Sequence, residues 1–180
     1  MTPRCFSPTR RRFLGAALAL GATAALGAPR MARASLAPPS GQVILTVSGA
    51  VGLTNAEGAA AFDLALLDAL PQRDTITATP WHEGRPRFSG PTIASVLGAA
   101  GATGSSLRIV ALNDYAAEMP MEDARGIPVI LATRIDGQEI SVRDKGPLFV
   151  IYPFDERPDL FNEVYFGRSV WQVSRVEVLA

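Results

Sequence analysis

At 180 residues, with 48% hydrophobic side chains and 17 basic against 17 acidic groups, the chain can bury one full core and carries no overall charge. The balance is uneven: six arginines and no acid fall within residues 1–34, so the remainder holds 11 basic and 17 acidic groups, a net of −6. An acidic domain argues against nucleic acid or anionic lipid as a partner, since both are attracted by basic patches. The single cysteine, Cys5, also lies in 1–34, which excludes a disulfide, a thiolate nucleophile and a cysteine metal ligand from the remainder.

Thr9-Arg10-Arg11-Arg12-Phe13-Leu14 opens a Gly/Ala-rich run. Paired arginines, one spacer and Phe-Leu form the pattern of a twin-arginine export signal, which carries folded and often cofactor-loaded proteins across a bacterial inner membrane. The uncharged stretch Phe13–Pro29 is 17 residues long and weakly apolar, short of the ~20 strongly apolar residues of a stable span. Ala32-Arg33-Ala34 supplies a small-x-small cleavage site. The alternatives are an uncleaved anchor or an ordinary secretory signal. The expected organisation is a signal over 1–34, a Pro/Ser/Ala linker over 35–41 and one domain over 42–180. The expected location is periplasmic, with no stable membrane span after cleavage.

Along the domain, Gln42–Ser48 alternates as a strand, and Thr54–Ala61 is small enough for a loop. Asp63 is placed to cap a helix to Leu70, with Phe62 and Leu67 as a hydrophobic staple and Pro71 as a stop. Thr75–Thr79 predicts a strand, and Trp81–Ser89 a polar loop. Pro91 suits a first helical position. Ile93, Val96, Leu97 and Ala100 then fall on one face, with Gly101 at the C-terminal cap. Leu107–Leu112 predicts a strand, Met121–Ala124 a helical turn, and Val129–Ser141 a hairpin around Asp136-Gly137. Leu148–Tyr152 predicts a central strand buried on both faces. Asp155–Gly167 predicts a looped excursion and Ser169–Leu179 a closing strand. Strands with short helices and no regular βαβ alternation indicate α+β, and no internal repeat is present.

The ordered pattern in the central and C-terminal parts is the most specific feature. It runs Phe88-Ser89-Gly90-Pro91-Thr92-Ile93, Val96-Leu97, Gly101, Asn113-Asp114-Tyr115, Met119-Pro120, Ile130-Leu131-Ala132 and Asp136-Gly137. It continues with Lys145-Gly146-Pro147-Leu148, Ile151-Tyr152-Pro153 and Ser169-Val170-Trp171-Gln172. Over about 42–180 this resembles the molybdopterin-binding domain of the sulfite-oxidase family. The resemblance implies an α+β fold with mixed and antiparallel sheets, and molybdopterin as the possible cofactor. Catalytic members of that family hold molybdenum through a cysteine that follows the strand before the Gly-Pro helix motif. The corresponding stretch here is Thr77-Ala78-Thr79-Pro80-Trp81, and neither a pyrrolidine nor an indole replaces a thiolate.

Several residues are candidates for a site. Trp81-His82-Glu83 occupies the loop where the family builds its active centre; a histidine beside a carboxylate suits a proton shuttle, an anion contact or a solvated loop. Arg85 and Arg87 suit an anion or the surface. Asn113-Asp114-Tyr115, after a strand, suits a pocket lining or a capped turn. Arg143 and Lys145 in a charged turn suit a pterin phosphate by resemblance, or a solvated hairpin end. Arg168 suits a site contact or a carboxylate partner, and Trp171 a core position. Glu118 and Asp123 do not identify an acid–base pair. No phosphate-cradling glycine loop and no hydrolase triad is present.

The functional expectation is an exported accessory or sensory module that binds a small molecule or a periplasmic or membrane protein, without molybdenum ligation. The alternative is a genuine periplasmic molybdopterin-dependent oxidoreductase with an atypical ligand set.

Overall fold

A computed structural model describes residues 36–180; the signal expected over 1–34 lies outside the described residues. The first antiparallel pair is β1 (Leu45–Gly49) with β2 (Ala59–Phe62). The second strand falls where a loop was expected, because an Ala-rich strand carries little intrinsic β signal. Asp63 caps α1 (Leu64–Asp68): its Oδ1 accepts from Leu66 N at 2.8 Å, and its Oδ2 from Ser40 N and Gly41 N at 2.7 Å. The Leu66 amide first, then that of Gly41, holds this buried carboxyl below its ordinary pKa. The expected linker is thereby tied down, and Leu36 packs on the main core. Phe62 and Leu67, the expected staple, are both fully buried there.

β3 (Gln72–Ile76) pairs antiparallel with β4 (Arg87–Pro91). The strand expected over 75–79 thus ends early, as the Thr77 hydroxyl accepts from Asp155 N and that of Thr79 meets His82 in the following loop. Pro91 closes β4 instead of opening a helix. Thr92 caps α2 (Ile93–Ala99) through its side chain to Ser95 N, and Gly101 follows with φ +61°. β5 (Ser106–Ala111) and β6 (Ala116–Pro120) form a hairpin, and α3 (Met121–Gly126) follows directly.

The expected hairpin over 129–141 divides. β7 (Ile130–Ala132) leaves it, whereas β8 (Arg134–Ile135) and β9 (Gln138–Glu139) close around Asp136-Gly137, with φ +50° and +82°. β7 pairs instead with β10 (Phe149–Ile151). The looped excursion contains a 3₁₀ turn at Pro158–Leu160 and α4 (Glu163–Arg168). β11 (Val173–Leu179) lies parallel to β1 and antiparallel to β5.

The sheets are therefore β2-β1-β11-β5-β6, β3-β4-β8-β9 and the ribbon β10-β7. The α+β class expected from the sequence, with mixed and antiparallel sheets and short helices, is the class observed. Strand alternation makes the ribbon a divider. Leu131, Leu148, Val150 and Tyr152 enter the larger core, whereas Ile130, Ala132, Phe149 and Ile151 enter a smaller one with Phe88 and Ile140. The continuous apolar run at 148–152 is thus buried on both faces as expected, but in a two-stranded ribbon. Among the described residues no helix is long and apolar enough to cross a membrane.

Gly90 in β4 shows how closely these parts approach. A Cβ there would collide with the Leu131 carbonyl of β7, whereas Gly98, exposed on α2, has open space. Gly90→Ala is expected to cost about 1–3 kcal/mol through forced backbone shifts. Gly98→Ala should gain about 0.5–1 kcal/mol from helix propensity. Urea midpoints of the two variants check this pair, and equal effects would contradict the packing described.

Candidate functional site

The loop 77–86 joins β3 to β4, and Asp155 holds it. Asp155 N donates to Thr77 Oγ1 at 3.0 Å, while its carboxylate accepts from Ala78 N at 3.2 Å and Arg85 Nε at 2.5 Å. Within the loop Thr79 Oγ1 lies 3.0 Å from His82 Nδ1 and accepts from Trp81 N at 3.4 Å. These bonds present Trp81 inward, and its half-buried ring packs against both cores.

Trp81 is the centre of an aromatic cluster. Its ring centroid lies 5.5 Å from Phe149, 5.9 Å from Trp171 and 6.0 Å from Phe166. Two clefts open on either side of it. The first, about 350 Å³, is lined by Trp81, Asn113, Tyr115, Glu163, Phe166 and Trp171 among others. The second, about 440 Å³, is lined by Trp81, His82, Gln138, Arg143, Asp144 and Lys145 among others. Both volumes lie in the range of small-ligand sites.

The predicted site residues divide between these clefts and other places. Asn113 and Tyr115 line the first, and His82, Arg143 and Lys145 the second. Three residues point elsewhere. Arg85 is paired with Asp155 at a shallow hollow beside Phe161. The Asp114 carboxylate, at φ +63° in its turn, meets Arg175 at 3.2 Å. Arg168 donates to Asp123 at 2.6 Å and lies 5.4 Å from the Tyr165 ring. The buried Tyr152 hydroxyl donates to the same carboxylate at 3.3 Å; burial first, then Asp123, drives this phenol well above its ordinary pKa. Arg168 therefore serves the core edge and lines neither cleft.

Trp171, expected in the core, is 39% exposed. Gln172, at φ +54°, turns the chain immediately before β11, so the indole stays at the surface with one side on Trp81 and Phe149. Glu163 and Phe166 were missed entirely, because the segment carrying α4 has no helical periodicity longer than one turn and reads as loop.

Charge separates the clefts. Eight of the ten described arginines are paired with carboxylates, but Arg143 and Lys145 have no side-chain partner among the described residues. Lys145 adopts φ +75°, and its carbonyl accepts from Gln172 N at 2.9 Å, which fixes this turn against the start of β11. Asp144 accepts from Ser141 Oγ at 2.7 Å. Burial first, and the Lys145 ammonium second, lowers the His82 pKa from its ordinary 6.5, so the imidazole is neutral at pH 7.

No protein-family model and no curated protein matches the chain. Among solved structures it is similar to the sulfane dehydrogenase SoxCD from Paracoccus pantotrophus, with a TM-score of 0.56 and 17% identity. The match covers 75% of this chain and 37% of that one, so the chain spans little more than a third of its neighbour's length. The likeness shows a shared fold.

Molybdenum held through a thiolate does not fit the residues present. The described residues contain no cysteine, and none of their His, Asp and Glu side chains form a group of three able to hold a metal. The strand-following position carries Pro80, which is exposed, and Trp81, whose ring is engaged with three aromatic neighbours. A soft anionic donor is missing where the resemblance calls for one.

A neutral His82 has a pH signature with a definite sign. Well above pH 6.5 it is neutral both folded and unfolded. As pH falls through 6.5 the unfolded chain takes up the proton first, so stability declines until the folded imidazole also titrates. The urea midpoint should therefore drop between about pH 7 and pH 5, and less steeply in His82→Gln. An identical slope in the two proteins would contradict this environment for His82.

Proposed function

We propose that this chain is an exported binding module on a sulfite-oxidase-like fold, which holds a small anionic ligand in the cleft beside Trp81 and ligates no molybdenum. The observation that carries this reading is the convergence of Arg143 and Lys145, cations without partners, on one cleft with His82, where the carboxylates of the lining are engaged elsewhere, Asp144 by Ser141 and Glu139 towards Arg134. Unpaired cations in a concave site attract and hydrogen-bond an anion, and an arginine can do so through two N–H groups at once. The sequence resemblance over 42–180 and the fold shared with a sulfane dehydrogenase support the domain assignment. The arginine pair before Phe13-Leu14 supports twin-arginine export to the periplasm, with cleavage after Ala34. In this reading the module serves a periplasmic or membrane partner, for which ligand occupancy is the signal.

A second reading, a genuine molybdopterin-dependent oxidoreductase, is favoured by the export signal, since that route carries proteins folded around cofactors. Arg143 and Lys145 would then meet the pterin phosphate. The donor set around Trp81 stands against metal held in the family's manner.

Of the two tryptophans of the chain, Trp81 lines this cleft and Trp171 packs against Trp81 from the other, so indole fluorescence reports occupancy. Titration with inorganic phosphate or pyrophosphate should give a saturable change. In the Arg143→Gln/Lys145→Gln double variant affinity should fall at least about tenfold, the loss of charge-assisted hydrogen bonds. Unchanged affinity in that variant would remove the anion assignment from this cleft.

A further inference from the structure

The first cleft has a different chemistry, aromatic and without a cation. Trp81, Phe166 and Trp171 meet at steep angles, with Phe166 inclined 79° and Trp171 68° to the Trp81 plane, so they form the walls of a corner and not a stack. Tyr115 adds a fourth ring; it is 53% exposed, and its hydroxyl donates to Gly167 O at 3.2 Å, which fixes the ring beside α4. Glu163, the first residue of α4, also lines this cleft, and it has no ion-pair or hydrogen-bond partner among the described residues. No lysine or arginine lines the space.

Four aromatic rings and one free carboxylate around about 350 Å³ select by charge. Ring faces carry negative potential and attract a cation, most strongly at tryptophan. A weakly hydrated cation gains most, since it gives up little water on entering an aromatic corner. Glu163 adds direct attraction and repels an anion. The domain's net of −6 favours approach of a positive ligand from solution. The second cleft, where Arg143 and Lys145 stand beside Glu139 and Asp144, offers the same group no comparable aromatic corner.

From this geometry we infer that the cleft between Trp81, Trp171 and Glu163 is a binding site for an organic cation of the quaternary ammonium class. The site uses Trp81 in common with the anion cleft and otherwise different side chains, so the two assignments stand or fall separately. Trp171 at the surface and Tyr115, immediately before β6, form the accessible side. Trp81 is the inner wall, held by the cores behind it.

Calorimetric titration of the purified chain with choline, and separately with its neutral isostere 3,3-dimethyl-1-butanol, tests this. Choline should bind saturably, with the isostere at least about tenfold weaker, because the shape is shared and the charge is not. Glu163→Gln should weaken choline about three- to tenfold and leave the isostere unchanged. Trp171→Ala should weaken choline by a similar factor, whereas Lys145→Gln should leave it unaltered. Glu163 is exposed and takes part in no packing, so its variant stays informative even if Trp171→Ala folds poorly. No saturable binding of choline, equal binding of the isostere, or an unchanged choline affinity in Glu163→Gln would each overturn the inference.

Discussion

The packing of Trp81 against both hydrophobic cores is the constraint around which the rest of the site is arranged. The ribbon of β7 and β10 separates those cores, and Phe149 on its smaller-core face meets the indole at 5.5 Å. An aromatic side chain of this size contributes through area removed from water and through edge-to-face contacts. It also occupies space. With Trp81 at the centre, the two clefts lie on its flanks, and the stretch where the resemblance expects a metal ligand carries Pro80 and Trp81, neither of them a metal donor. Asp155 holds the loop that delivers it, from the far side of the chain.

The distribution of charge follows the same division. An acidic domain uses most of its arginines to pair with carboxylates across strands and loops, as Arg73 does with Glu156 at 2.6 Å and Arg134 with Asp68 at 2.7 Å. Exposed pairs of this kind add little stability. They do consume cations. Among the charged groups without a side-chain partner, three line the clefts: Arg143 and Lys145 on one side of Trp81, Glu163 on the other. Two clefts of similar size thus differ in character, although they share a wall: one sets Arg143 and Lys145 beside Glu139 and Asp144, the other sets aromatic rings around Glu163.

Much of this was legible in the sequence wherever local chemistry decides. Asp63 was readable as a cap, Asp136-Gly137 as a tight turn, and 148–152 as a strand buried on both faces, because each depends on side chains within a few residues; Thr92 was not, since Pro91 suited a first helical position. Other features depend on partners far along the chain. Ala59–Phe62 becomes a strand because β1 needs a neighbour, and β7 leaves its expected hairpin because β10 offers a buried pairing. Trp81, His82, Asn113, Tyr115, Arg143 and Lys145 were recognisable by residue type, but their separation into two clefts is set by the ribbon and the Asp155 anchor. Glu163, Phe166 and the exposure of Trp171 follow from a six-residue helix and a left-handed turn at Gln172, neither of which leaves a periodic trace.

The most direct test of this account is the metal and pterin content of the full chain, produced in a host that makes molybdopterin and recovered from its periplasm. The account predicts a folded protein in which molybdenum is far below stoichiometric, because the described residues offer no thiolate and the stretch that would carry it is Pro80-Trp81. Molybdenum and pterin both near one per chain would contradict it and restore the oxidoreductase reading.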